Sequence, residues 1–161
     1  MKTTVQFCAS PADGTLVQTL YKELLEYWET GNAISYAGLF TTGANVIGFD
    51  GSQMNGKEDI EKTLAQIFSH HKVAAYVAII EEVRPLCDTV YLLRAVVGMI
   101  APGADVIMPE RNAIQTMVAQ KQFGSFEISL FQNTPAAFHG RPEISKQLTE
   151  RLAGVQKTAG Q

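Results

Sequence analysis

Arg94 is the clearest candidate for chemistry in this sequence. It lies within an apolar run from Val90 to Val97 that predicts a strand. A charge in that setting needs a partner or water. We consider two interpretations. Arg94 anchors an anionic or carbonyl-bearing ligand on the inner face of a sheet, or it forms a cross-strand ion pair on the outer face with Glu81, Glu82 or Glu127.

Side-chain amides lie in the last two predicted strands. Gln115 either bonds a ligand or bonds across the sheet. Gln132 and Asn133 are adjacent, so strand alternation turns only one of them inward. Amides orient ligands but do not take protons, which argues against general-base catalysis here. A slip of one residue would exchange Gln115 for Ile114 and Arg94 for Leu93.

Three residues remain as catalytic candidates: His71, Asp50 and Tyr36. His71 and its neighbour His70 end a predicted helix, where a cation also compensates the helix dipole. Asp50 precedes a glycine and is typical of a turn. In a catalytic site His71 or Asp50 would be the base, and Tyr36 or Arg94 would stabilise the developing oxyanion.

An aromatic and thioether set supplies the remaining candidates for ligand contact. Trp28, Tyr36, Phe40 and Met117 are typical of a core, and they also suit the wall of a cavity for a planar apolar molecule. The residues that we predict to bind a ligand are Trp28, Tyr36, Phe40, Arg94, Gln115, Met117 and Asn133.

Several classes of function find no support. The two cysteines have no metal-ligand spacing, and neither a Gly-x-Ser-x-Gly nor a Gly-x-Gly-x-x-Gly motif occurs, so we predict no metal and no cofactor. The net charge of −3 does not favour nucleic acid or an anionic membrane. Neither a signal peptide nor a membrane span is indicated, so we expect a cytoplasmic protein.

Helices are predicted first along the chain. Ser10 and Pro11 open a helix with apolar residues at helical spacing, and Gly31 ends it. Asn32 caps a second helix that runs to about Phe40. A short strand from Asn45 to Phe49 and a turn at Asp50-Gly51 precede a third helix over 56–69.

Strands dominate the remainder. Four apolar runs with short connections, over 73–84, 89–99, 111–121 and 125–133, predict an antiparallel meander. A last helix is expected over about 141–153, with Gly154 past its end and a frayed tail. We therefore predict one α+β domain over residues 1–161, with its core over about 10–135. Its curved sheet wraps around the N-terminal helices as a cone that encloses a cavity.

Five segments resemble the SnoaL-like families of the nuclear transport factor two-like superfamily. They are Trp28–Asn32, Tyr36–Phe40, Val46–Gly51, Asn55–Ile60 and Gly124–Pro135. The run Phe131-Gln132-Asn133-Thr134-Pro135 is most similar to the SgcJ/EcaC branch. The resemblance implies a cone-shaped cystatin-like roll and a homodimer that pairs through the outer face of the sheet. The low charged fraction of 18% agrees with a partly covered surface.

We hold three hypotheses of function. The first is a binding protein for a small apolar or carbonyl-bearing molecule, with an apolar cavity in the cone. The second, implied by the resemblance, is a lyase or isomerase acting on a polyketide-like or steroid-like carbonyl compound. The third is a dimeric protein-interaction module whose cone is filled by its own side chains.

Overall fold

The computed structural model describes residues 2–161, which form seven strands, four α-helices and one short 3₁₀ turn. In chain order these are β1 (Thr4–Gln6), α1 (Ala12–Glu29), α2 (Ala33–Gly38), β2 (Phe40–Ile47), β3 (Gln53–Asn55), α3 (Lys57–His70), β4 (Ala75–Cys87), β5 (Val90–Ile100), the 3₁₀ turn (Pro109–Arg111), β6 (Ala113–Gln122), β7 (Ser125–Pro135) and α4 (Pro142–Ala159). Helices packed on a curved, open sheet confirm the predicted α+β fold.

The seven strands form one sheet in the order β1-β4-β5-β6-β7-β2-β3. Strands β4 to β7 pair antiparallel with their sequence neighbours, which confirms the predicted meander. Strand β2 pairs parallel with β7, and β1 pairs parallel with β4. Bulges in β4 and between β6 and β7 interrupt the register and bend the sheet.

The inner face of the sheet packs against α1, α2 and α3 around the main core. From α1 this core takes Val17, Tyr21 and Leu24, and strand alternation directs every second residue of β4 to β7 toward them. Tyr21 is fully buried. The N-terminal helices therefore form one wall of any space enclosed by the sheet.

Helix α4 covers part of the outer face. Its residues Leu148 and Leu152 pack on Val77, Ile79 and Ile100 in a second, smaller core. The close approach requires a glycine at position 98, because an added Cβ would lie 2.7 Å from the Ile107 Cγ2 atom and 3.2 Å from the Leu152 Cδ1 atom. Val96 and Ile100 of β5 belong to this second core, whereas the outer faces of β6 and β7 lie outside it.

Two helix boundaries differ from expectation. Helix α1 begins at Ala12 after Pro11, and the Ser10 hydroxyl accepts a hydrogen bond from the Gln18 Nε2 group instead of capping the helix. Helix α4 passes Gly154 and ends only at Ala159. No atom would obstruct a Cβ at Gly154, and the apolar stripe continues to Val155, which packs against the second core.

Two edge strands were not predicted. Strands β1 and β3 are three residues each, too short for a periodic pattern. The prediction for β2 was also wrong in its bounds, because the chain turns from helix to strand near Leu39 and not beyond Phe40. No helix in residues 2–161 has both the length and the apolar character needed to cross a membrane.

Candidate functional site

A cavity of about 380 Å³ lies between the inner face of the sheet and the helices α1, α2 and α3. The loop between β2 and β3 forms its rim. The lining is mostly apolar and consists of Leu25, Trp28, Tyr36, Val46, Ile47, Gly48, Phe49, Asp50, Ser52, Gln53, Met54, Thr63, Leu64, Ile67, Tyr76, Met99, Arg111, Phe131 and Asn133.

Trp28 and Tyr36 form an aromatic wall of the cavity. The Trp28 ring packs edge-on against Phe68, with centroids 5.4 Å apart, and tilts toward Tyr76 at 6.3 Å. Its indole Nε1 is buried and has no hydrogen-bond partner within residues 2–161. A buried N–H left without an acceptor carries a desolvation cost that an incoming acceptor would relieve.

The two phenols of the lining stay protonated. Burial raises the pKa of Tyr36 far above its ordinary value, and the neighbouring Tyr76 adds to the rise. Burial also raises the pKa of Tyr76, while the Gln115 side chain works in the opposite direction with less effect. Both hydroxyls are therefore neutral donors at any physiological pH.

Asn133 provides the amide of the lining, and two buried residues lie behind it. The Tyr21 hydroxyl donates to the Gln115 Oε1 atom at 2.5 Å, and the Gln115 Nε2 group donates to the Asn133 Oδ1 atom at 3.4 Å. Gln115 is fully buried and does not line the cavity. It contacts the site through Asn133 and Tyr76.

The charged groups of the lining, Asp50 and Arg111, are both exposed. The Asp50 Oδ1 atom accepts a hydrogen bond of 2.9 Å from the Ser52 backbone N–H. This hydrogen bond, with a second from the Ser52 side chain, lowers the pKa of Asp50. A carboxylate held in its ionised form is a weak proton acceptor. Arg111 stacks over the Phe49 ring, 5.6 Å from the centroid.

The structure brings together four of the predicted site residues: Trp28, Tyr36, Asn133 and Asp50. Phe40 and Met117 are fully buried in the main core and are not part of the cavity lining. Phe40 packs against Tyr36 with ring centroids 5.5 Å apart, so it supports the aromatic wall from behind.

Arg94 requires a correction, because it lies on the outer face. Its pairing partner on β6 is Thr116, whereas Gln115 pairs with Ala95. Paired residues share a face and neighbours alternate, so Arg94 and Gln115 cannot both point inward. Arg94 forms an ion pair of 2.6 Å with Glu82, which is the cross-strand alternative considered above.

His71 also lies away from the cavity. It is the C-cap residue of α3, and its backbone N–H donates to the Ile67 carbonyl. It borders a separate surface depression together with Glu29 and Lys72. The catalytic candidates are thus divided, with Tyr36 and Asp50 at the cavity and His71 outside it.

Several lining residues were not predicted from the sequence, above all Tyr76. The signal was present: Tyr76, Ala78 and Ile80 alternate along β4, and a tyrosine in such a buried stripe needs a place for its hydroxyl. Met99 and Phe131 on the strands, and Arg111 next to them, are further lining residues that were not predicted. Arg111 lies in the 3₁₀ turn and not in the strand that was expected to begin there.

The interior of the cavity therefore offers neutral hydrogen-bond donors on an apolar surface. Neither a histidine nor a buried carboxylate lines it. Within residues 2–161 no group of three or more histidine, cysteine, aspartate or glutamate side chains is placed to hold a metal ion. The arrangement suits binding and orientation of an uncharged molecule.

Comparison with known proteins identifies the fold. No protein-family model and no curated protein sequence matches the chain. Among solved structures, a domain of unknown function with a cystatin-like fold from Nostoc punctiforme superposes with a TM-score of 0.74 at 20% identity, covering 92% of this chain and 99% of that one.

Two further structures show the same likeness. A ketosteroid isomerase-like protein from Erwinia carotovora has a TM-score of 0.60 at 11% identity and covers 79% of this chain and 98% of its own. An NTF-2-like protein of unknown function from Shewanella oneidensis has a TM-score of 0.59 at 15% identity, with coverages of 76% and 98%. The chain thus has the cystatin-like fold, with cystatin-like and NTF2-like proteins as its structural neighbours.

Proposed function

We propose that this protein binds a small, mostly apolar molecule that carries a carbonyl or similar acceptor group. One observation carries the proposal: the cavity interior is apolar, and the polar groups of Trp28, Tyr36, Tyr76 and Asn133 that border it are all uncharged. Apolar area supplies the affinity, and the few polar groups fix the orientation. The open volume of the cavity also favours a ligand over an interaction module with a filled cone.

An acid–base reaction has less support. A lyase or isomerase would pair a base with an oxyanion donor, and Asp50 with Tyr36 is the combination that borders the cavity. The lowered pKa of Asp50 and its exposed position make it a poor base. The ketosteroid isomerase-like neighbour supports a carbonyl-bearing molecule as the ligand class without supplying a base here.

A homodimer is the second part of the proposal. Half-buried apolar residues remain on the outer face of β5 to β7, outside the area packed by α4. They include Leu92, Val118 and Leu130, with the more exposed Ile114 among them. Such a surface suits a second copy of the chain. Analytical ultracentrifugation tests it, and a monomer at micromolar concentration would refute it.

Ligand binding is tested with 1-indanone, an acceptor-bearing bicyclic ketone, in a heteronuclear NMR titration. We expect shifts in the amide signals of cavity residues such as Val46 and Ile67, and weaker binding in Trp28→Ala. Leu16→Ala, an exposed position on the same helix, is the matched control. Shifts elsewhere on the molecule, or equal affinity in Trp28→Ala and wild type, would contradict the proposal.

A further inference from the structure

A buried chain of three side chains leads from α1 to the cavity. Tyr21 bonds Gln115, and Gln115 bonds Asn133. Tyr21 and Gln115 are fully buried, and neither lines the cavity, whereas Asn133 does. Two residues that no ligand would touch are therefore connected to one that a ligand would meet.

The hydrogen bond between Tyr21 and Gln115 fixes which end of the Gln115 amide faces Tyr21. The Tyr21 hydroxyl donates to the Gln115 Oε1 atom, at a separation of 2.5 Å that is typical of an O–H···O hydrogen bond. Gln115 must therefore turn its oxygen toward Tyr21. Burial, with Tyr76 and Tyr36 nearby, raises the pKa of Tyr21, so its hydroxyl keeps the proton that it donates.

The orientation of the Gln115 amide in turn fixes the orientation of the Asn133 amide. With its oxygen engaged by Tyr21, Gln115 presents its NH₂ group to Asn133. An NH₂ group only donates, so Asn133 must meet it with its carbonyl oxygen. The Nδ2 group of Asn133 has no hydrogen-bond partner within residues 2–161 and remains available to a molecule in the cavity.

We propose that Tyr21 and Gln115 are positioning residues that hold the Asn133 carboxamide with its NH₂ group toward the cavity. The site thereby selects molecules with a hydrogen-bond acceptor, such as ketones, over molecules of the same shape that offer only a donor. This inference rests on the proposed function. The buried Trp28 indole N–H, which has no acceptor in the part of the chain that the structure describes, is a second hydrogen-bond donor in this region.

Three bicyclic probes of similar shape separate polarity from apolar contact. 1-Indanone offers only an acceptor, indole offers an N–H donor, and indane offers neither. NMR titration of the wild-type protein should give an affinity for 1-indanone about fivefold to tenfold above that for indole, the effect of roughly one hydrogen bond. Indane reports the apolar contribution alone.

Tyr21→Phe removes the hydroxyl that orients Gln115, so both amides become free to turn over. We expect the ratio of 1-indanone to indole affinity to fall to about twofold or less, with the affinity for indane unchanged. Tyr27→Phe, a half-buried position on the same helix, is the control and should keep the wild-type ratio. Gln115→Met provides a second variant that interrupts the chain, should Tyr21→Phe fold poorly.

The outcomes separate the two claims. If indane binds and the ratio of 1-indanone to indole affinity in the wild type is near one, the orienting role is refuted and the binding function stands. The same conclusion follows if that ratio is undiminished in both Tyr21→Phe and Gln115→Met. Failure of all three probes to bind would refute the binding function and this inference together. A ratio that falls in both variants and holds in Tyr27→Phe supports the assignment.

Discussion

The guanidinium of Arg94 and the carboxylate of Glu82 meet across β4 and β5 on the sheet face opposite the cavity. The Arg94 Nε atom donates to the Glu82 Oε2 atom at 2.7 Å, and Nη2 lies 2.6 Å from the same oxygen. This hydrogen bond is the main cause that lowers the pKa of Glu82. A bulge between Ile80 and Glu82 sets the register that pairs the two residues.

Replacing Arg94 should therefore leave the cavity unaffected. We expect Arg94→Gln to bind 1-indanone with the wild-type affinity, because its side chain lies on the other face. Exposed ion pairs contribute little, so the midpoint of a urea titration should change only slightly. A loss of probe affinity in a folded variant would place Arg94 in the site after all.

His71 and Tyr36 should behave in opposite ways. His71→Ala is expected to keep the affinity for 1-indanone, because His71 caps α3 outside the cavity. Tyr36→Phe removes a neutral hydrogen-bond donor from the lining. It should lower the affinity for 1-indanone by roughly fivefold and leave the affinity for indane unchanged. Isothermal titration calorimetry of both variants measures these affinities. A loss of 1-indanone affinity in His71→Ala, with wild-type affinity in Tyr36→Phe, would instead favour a site around His71.

The buried phenols predict alkaline unfolding. Tyr21, Tyr36 and Tyr76 have raised pKa values in the folded state, whereas an unfolded tyrosine titrates near pH 10. Above that pH the unfolded chain releases protons that the folded chain retains, so the free energy of unfolding falls as the pH rises. The slope steepens through pH 10 and approaches about 1.4 kcal/mol per pH unit for each phenol once the unfolded phenol is fully ionised.

Urea titrations between pH 9 and pH 11, analysed against pH, measure this slope. Tyr21→Phe carries one buried phenol fewer, so its slope should be about a third smaller than that of the wild type. An identical slope would show that Tyr21 ionises as readily in the folded protein as in the unfolded one.

Gly98 should tolerate no side chain. Its added methyl group would collide with the Ile107 side chain and press on the Leu152 side chain, so both would have to shift within a packed core. We expect Gly98→Ala to lower the free energy of unfolding by about 1–3 kcal/mol, the usual cost of overpacking. Gly43→Ala, where the Cβ meets open space, is the control and should change stability by well under 1 kcal/mol.

The meander was predictable because long strands display their alternation. The runs around Val90–Ile100 and Ser125–Pro135 are each eleven residues and bury every second residue over much of their length. Strand β1 has three residues and forms only by pairing with β4, a tertiary effect that leaves no local pattern. Helix α4 passes Gly154 for a similar reason, since packing outweighs the weak helix preference of glycine.

Part of the site was predictable from residue type alone. Trp28 and Tyr36 are large aromatics on helices that the sheet must cover, and both line the cavity. Inward and outward positions on the strands depend on register, which shifts by one residue at each bulge. That is why Arg94 and Gln115 could not be assigned to opposite faces before the register was known.

The hairpin of β2 and β3 gives the cavity a rim with properties unlike those of its walls. Strand β3 is a three-residue edge strand, bonded within the sheet only to β2. Its central residue Met54 packs against the main core and also lines the cavity, so the rim and the packed interior share a side chain. A substitution at Met54 therefore acts on the mouth of the cavity and on the core together, so shape at the entrance cannot be changed there without a cost in packing.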